Sequence, residues 1–542
     1  MTLDGFLTFL TLIIAVYAVV PGVTRLRYQL RIIWPLIISV AGFLLVVYFE
    51  FGQPCPQAFG AYCCFLRITP ESPINTGQAA FAVVIAWLFL SWIAFRRSKL
   101  SPHALPILST LVSELAYKRR HAELIELIEP HLPLLDRSAQ RQLKRARLHD
   151  YLFTLDHRKI RVSQLLDQVK NGKVSVAGPS LRSLRHRAGL AAATMASEFA
   201  CLVPSQRRAE DAAQNIFRVL LHSPEIVAFV ATFRPEFGVR LLSCSVPAVR
   251  DFCDAYLTAL ISDSRSILYT EIKQNQNLDS KTGYWFPQHN RLLHFLFKDA
   301  RTAERLDVWE PLGEYAFSAL RSGSNPGYVA FLNGPADSFS QDERWKDRTF
   351  AVVRFFDLMV TAAEYQGVQW HMGLYYFPRF IERIVAVYDA SGIDIEQDAE
   401  WPTRAAYLIY EIFNALTRWV TAVRTLPTDS PHLMLENDEV IPENGNIPKS
   451  ATLVLGMCLK TILLTPCISE RFKCYIHGIV MRRMRDLNRN GIEARFRALL
   501  IKAIIQGGLP DNATNDYRTT LKNLFSGDDL NDYQTSLDQV SP

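Results

Sequence analysis

None of the short patterns that build a nucleotide cradle, a zinc site or an activated serine occurs in this chain. GxxxxGK[ST], GxGxxG, HExxH, CxxC and GxSxG are all absent from its 542 residues. Their absence lowers the expectation of an enzyme without abolishing it, and no cofactor or metal is expected. Sustained period-two alternation between hairpin turns is equally scarce, which excludes a sheet as the organising core. No fixed repeat period is legible, so tetratricopeptide and ankyrin arrays are not indicated. The expectation that remains is all-α, with solenoid-like stacking of helices as one arrangement that fits.

Charge is missing from three long stretches. Residues 6–23 (FLTFLTLIIAVYAVVPGV), 32–49 (IIWPLIISVAGFLLVVYF) and 77–95 (GQAAFAVVIAWLFLSWIAF) carry no Asp, Glu, Lys, Arg or His. Each is about the length that a tilted helix needs to cross a roughly 30 Å hydrocarbon core. A cleaved signal peptide is disfavoured, because the preceding MTLDG holds Asp4 and no cation and two further runs follow. Ion pathways use ionisable groups facing a cavity, so uncharged interiors argue against a stand-alone transporter. A pore assembled from several copies and gated by apolar constriction stays compatible with them.

The cations lie at the flanks. Arg25, Arg27 and Arg31 crowd the link between the first two runs, and Arg96, Arg97 and Lys99 follow the third. By the positive-inside rule both positions are cytoplasmic, which puts the N-terminus and the 50–76 loop outside and residues 100–542 in the cytoplasm of a bacterial-type inner membrane. Cys55, Cys63 and Cys64 fall in that outer loop, where an oxidising compartment would permit Cys55 to pair with one of the other two.

Net charge is +6, but its distribution is uneven. Residues 96–210 hold 21 Lys+Arg against 10 Asp+Glu, while residues 211–542 hold 34 against 40. Lys118, Arg119, Arg120, Arg141, Lys144 and Arg145 belong to this basic block. A solvated helix face explains such a block without function; contact with anionic lipid head groups is the functional reading. Nucleic acid is disfavoured, because no aromatic interleaving accompanies the charge.

The organisation expected is a membrane segment (1–99), a basic juxtamembrane helical segment (100–170), a main all-α domain (178–425) and a C-terminal helical subdomain (449–542) with an acidic tail. NGKVSVAGPS (171–180) and the proline-rich, acidic 425–449 stretch read as breaks. Residues 350–363 and 405–423 are the strongest amphipathic runs, the latter with Leu408, Ile412, Leu416, Trp419 and Val423 as one stripe and Glu411 and Arg418 off it. Residues 451–465 resemble a fourth span but are short and contain Lys460, so a buried soluble helix is expected.

Three constellations carry weak chemical signals. Asp486 to Gly491 begins like a calcium loop, yet its twelfth position is Arg497 in place of a bidentate Glu. Asp263, Glu271 and Lys273 have the composition of a nuclease acidic set but fall in one helical region. Trp285, His289 and His294, with Trp370 and His371, form two aromatic, histidine-bearing segments; core packing is the plain reading and a pocket for a planar ligand the sharper one.

The function expected from these observations is a membrane-tethered sensor or recruiter whose helical region binds a protein partner or signal. The alternative is a stress or phage-defence effector whose spans oligomerise and perturb the bilayer, and an enzyme using the aromatic and histidine segments is weaker still.

Overall fold

The computed structural model describes residues 40–42, 44–45, 76–96, 100–142, 147, 207–279, 283–321, 325–369, 371–440, 445–509 and 514–524. Helices dominate, and the strand content of the described residues is a single two-residue antiparallel ladder, so the all-α expectation holds. The chain divides into two compact units. One comprises residues 1–226 with 244–248, and the other residues 227–243 with 249–542.

In the first unit, α1 (Thr76–Arg96) is a 21-residue helix coinciding with the third apolar run. Gly42, in the second run, packs its backbone against the Trp87 ring of α1, where an added Cβ would lie 3.2 Å from Cδ1. A short 3₁₀ turn then leads into α2 (Leu105–Tyr117), α3 (His121–Ile128) and α4 (Leu132–Ala139). Leu105, Leu108, Val112 and Leu115 bury one face of α2, at the three- and four-residue spacing a helix core requires. α3 ends at Ile128, two residues before Pro130, whose missing N–H cannot continue the α-helical ladder and which sits in a 3₁₀ turn over Glu129–His131. The long amphipathic α5 (Arg207–His222) packs on α2 and α4. Asn215 Nδ2 donates to Ser109 Oγ at 2.9 Å, and Arg141 pairs with Glu210 at 2.8 Å. Residues 171–180 and 190–201 lie outside the described residues. α6 (Pro224–Phe233) follows α5 and runs across the boundary between the units.

The second unit begins with α7 (Pro235–Leu242), α8 (Val249–Ser262) and α9 (Ile267–Gln274), then the ladder of β1 (Leu278–Asp279) and β2 (Gly283–Tyr284). Next come α10 (Arg291–Phe297), α11 (Ala300–Leu306), α12 (Trp309–Ala319), α13 (Pro326–Leu332), α14 (Asp337–Gln341) and α15 (Arg348–Tyr365). α15 is a hub. Nearly every residue from Thr349 to Glu364 is buried, because α8, α9, α11, α12 and β2 pack around it.

A second hub is formed by α18 (Ile447–Leu464), around which α16 (Tyr376–Ala386), α17 (Arg404–Thr421), α19 (Glu470–Asp486), α20 (Gly491–Gln506) and α21 (Asn515–Leu524) assemble. α17 touches both hubs and joins them into one core, and its predicted stripe from Leu408 to Val423 is buried throughout. α18 is long and apolar enough to cross a membrane by length and composition, but 78% of its 18-residue window is buried inside the protein. It is a core helix, three residues longer than expected because Asn446 caps it by accepting from Lys449 N at 3.0 Å and Pro448 sits in its first turn.

The stretch expected to separate two domains lies wholly inside the second unit. Its ends are stitched to one another. Asn446 Nδ2 donates to His432 O and Met434 O at 2.9 and 3.1 Å, and the almost fully buried Lys449 donates to Asn437 Oδ1 at 2.8 Å. Four prolines and an acidic bias made it read as a linker, whereas buried polar bonds hold it as part of the fold.

Candidate functional site

The basic residues expected to meet lipid are in part accounted for by ion pairs. Lys118 pairs with Glu114 at 2.5 Å, Arg119 with Glu225 at 3.1 Å, Arg120 with Glu123, and Arg141 with Glu210. The first three pairs are largely solvent-exposed and screened by water, so the cations stay accessible to an anionic surface. Arg96 closes α1. Arg25, Arg27, Arg31, Arg97, Lys99, Lys144 and Arg145, and Cys55, Cys63 and Cys64, lie outside the described residues.

The aromatic and histidine segments are used locally. Trp285 is 73% exposed and His289 is exposed. His294 Nδ1 bonds to Phe286 O at 2.8 Å, and the buried His371 bonds to Gln369 O at 2.6 Å and lies tilted beside the Tyr375 ring. Trp370 lies outside the described residues. Among the described residues, no hydrogen bond or ring contact joins the 285–294 segment to His371.

The other two weak constellations resolve into helix ends. The buried Glu271 accepts from the Leu292 and Leu293 amides at 3.2 and 2.8 Å at the start of α10, while Lys273 pairs with Asp342 and Asp263 holds Arg265. Those three residues therefore point at different partners. Burial, only partly offset by the backbone donors, pushes the Glu271 carboxyl up to about 7. In the 486–497 turn, the buried Arg497 donates to Met484 O and Leu487 O, closing the end of α19, and Glu493 accepts from Asn488. Among the described residues no group of three or more His, Cys, Asp or Glu is placed to hold a metal ion.

Two features of the second unit were not anticipated. The first is a buried polar seam between α15 and α17. Asp357 Oδ2 receives Arg354, Arg418 at 3.1 Å and the Tyr284 hydroxyl at 2.9 Å. Asp357 Oδ1, Thr361 Oγ1, Glu364 Oε1 and Arg418 Nε, in the same two helices, are buried without a hydrogen-bond partner. Burial, and after it the charge of Asp357, pushes the Glu364 carboxyl well above the usual carboxylate range. Glu411 extends the network, accepting from Tyr407 at 2.7 Å, and Tyr407 accepts from Arg344. Glu411 and Arg418, off the apolar stripe, are thus partly buried against opposite charges: Asp357 of α15 meets Arg418, and Arg344 with Arg354 faces Glu411.

The second feature is an open cleft of about 640 Å³ between α13, the 343–348 segment and the start of α17. Its wall is a layer of cations on rings. The Arg348 guanidinium lies 4.6 Å over Tyr328, and that of Arg404 lies 4.1 Å over Phe331. The Tyr328 and Phe331 rings are themselves stacked, 6.0 Å apart and inclined by 15°. Asp347, fully inside, is occupied as the cap of α15 and as acceptor from the Tyr328 hydroxyl. Glu343 is taken by Arg404 at 3.2 Å. Lys346 and Arg348 reach no carboxylate within ion-pair distance among the described residues. The sequence signal was present in ERWKDR (343–348), where cations recur at every second position, but α13 and Arg404 enter from elsewhere in the chain.

Comparison of this chain with family models, with curated proteins and with solved structures gave no match.

Proposed function

We propose that this protein is a membrane-tethered sensor. In this reading its N-terminal runs (6–23, 32–49 and 77–95) anchor it in a bacterial-type inner membrane, and residues 100–542, on the cytoplasmic side, receive a signal or partner. The observation that carries the reading is the surface of α1. The helix is 21 residues long, about 31 Å at 1.5 Å per residue, and Arg96 is its first charge. Phe81, Ile85 and Phe89 recur every four residues along it, and each is more than half exposed. A row of large apolar side chains facing outward is what lipid covers, and it is costly to leave in water. The close approach of Gly42 to Trp87 adds support, since small residues let membrane helices pack backbone to side chain.

The sensor half of the reading rests on the second unit, where preordered cations line an open cleft. Residence is tested by washing membranes that contain the full chain with alkaline carbonate. Retention in the pellet is expected, together with digestion of residues 100–542 only after the cytoplasmic face is exposed to protease. Release into the wash would contradict the anchor, and digestion from the outer face would contradict the orientation.

A further inference from the structure

We infer that the cleft walled by Tyr328, Phe331, Arg348 and Arg404 binds a phosphorylated small molecule of nucleotide size, with its anionic group between Lys346 and Arg348.

The balance of charge points there first. Of the acids around the cleft, Asp347 is used as a helix cap, Glu343 is held by Arg404, and Asp342 is held by Lys273 at 3.2 Å. Among the described residues Lys346 and Arg348 make no ion pair with a carboxylate, and Asp347 between them, which does feel the charge of Arg348, is spent on the helix cap and the Tyr328 hydroxyl. Rigidity is the second argument. The guanidinium of Arg348 lies 4.6 Å over the Tyr328 ring, whose own hydroxyl is anchored by Asp347 at 2.7 Å, so its donors are restrained and less rotamer entropy is left to lose on binding. Arg404 lies over Phe331 and spends its Nη1 on Phe331 O at 3.1 Å and its Nη2 on Glu343 at 3.2 Å, so it walls the cleft and leaves the anion to Arg348 and Lys346. Planar, fork-shaped donors held in place are the groups that suit phosphoryl oxygens, with Lys346 adding a point charge.

Size is the third argument. A volume of about 640 Å³ falls in the range of small-molecule sites. A second recess of about 380 Å³ adjoins it, sharing Glu343 and Lys346 and adding the Ser264 and Thr270 hydroxyls and Lys273. Lys346 thus stands at the junction of two lobes, which suits a molecule with its phosphoryl group at the centre and a polar body in the second recess.

The inference gives the sensor reading its signal and relies on that reading only for purpose. Binding is measured in detergent and membrane residence by extraction, so either can fail alone. The test is calorimetric titration of the full chain in mild detergent with inorganic pyrophosphate, with adenosine triphosphate, and with adenosine as the uncharged control. Both phosphorylated probes are expected to bind, more weakly as salt rises, and adenosine is not. K346A/R348A is expected to weaken binding at least tenfold. Because Lys346 is exposed, K346E alone serves as a variant that keeps the wild-type melting temperature and still loses affinity. Absence of binding by both phosphorylated probes, or affinities unchanged in K346E and K346A/R348A, would overturn the assignment.

Discussion

Arg418 of α17 stands 3.1 Å from Asp357 of α15, and the carboxylate they share with Arg354 and Tyr284 is almost fully shielded from water. This contact joins the helix common to both hubs of the second unit to the centre of the first hub. A buried pair of this kind is not a simple gain, because both charges lose their hydration, but breaking it leaves the survivor uncompensated.

Asp357→Ala is therefore expected to destabilise the second unit by about 3–5 kcal/mol, since it strands two guanidiniums in the core. Denaturant unfolding of the detergent-solubilised chain reads this directly. A loss under about 1 kcal/mol would mean that water reaches the seam and solvates the arginines.

Glu271 makes the fold sensitive to pH in one direction. Its carboxyl is raised from an ordinary 4.5 to about 7, so between those values the folded chain binds more protons than the unfolded one. Stability from this group falls as pH rises through that window. The Glu271→Gln variant is expected to lose that slope, measured as unfolding free energy against pH with wild type alongside. An unchanged slope would remove Glu271 as its source.

His432 acts in the opposite sense. Burial pushes its imidazole down from 6.5 to about 4, and Nδ1 accepts from the Ile447 amide at the start of α18. Here the unfolded chain binds the extra proton, so stability is lost as pH falls from about 6.5 to about 4, by on the order of 3 kcal/mol. His432→Leu should flatten this acid limb while lowering stability at neutral pH, because the Ile447 amide loses its acceptor.

Gly456 sets how closely α18 and α20 approach. A Cβ there would lie 2.4 Å from Ala503 O and 2.7 Å from Gly508 N, both backbone atoms that cannot rotate away. Gly456→Ala is expected to cost about 1–3 kcal/mol or more by forcing the helices apart. Gly478 in α19 is the control: nothing lies within 4 Å of its Cβ position, so Gly478→Ala should gain up to about 1 kcal/mol of helix stability. Equal effects at the two sites would deny the close approach.

Much of this architecture was legible in the residues. The period of α15 and α17 was visible because their apolar positions recur at three and four, and the Leu408 to Val423 stripe is buried as that spacing requires. The seam was not visible, because whether Glu411 and Arg418 are solvated depends on Asp357 and Arg354 more than fifty residues earlier. The 425–449 stretch misled for a related reason: proline and acid content describe local backbone, while Asn446 and Lys449 are held by contacts at twelve to fourteen residues' range. The cleft has the same origin, since α13 and Arg404 meet ERWKDR only in the folded chain.

The face of α1 offers the most direct test of the membrane anchor. Single nitroxide labels at positions 81, 84, 85 and 89, in a cysteine-free background reconstituted into vesicles, report whether each site sees dissolved oxygen or a water-soluble nickel chelate. The anchor predicts that labels at Phe81, Ile85 and Phe89 collide with oxygen and not with the chelate. The label at Val84, which is only 6% exposed, should be shielded from both. Collision of the three outward labels with the chelate would place that face in water and contradict the account.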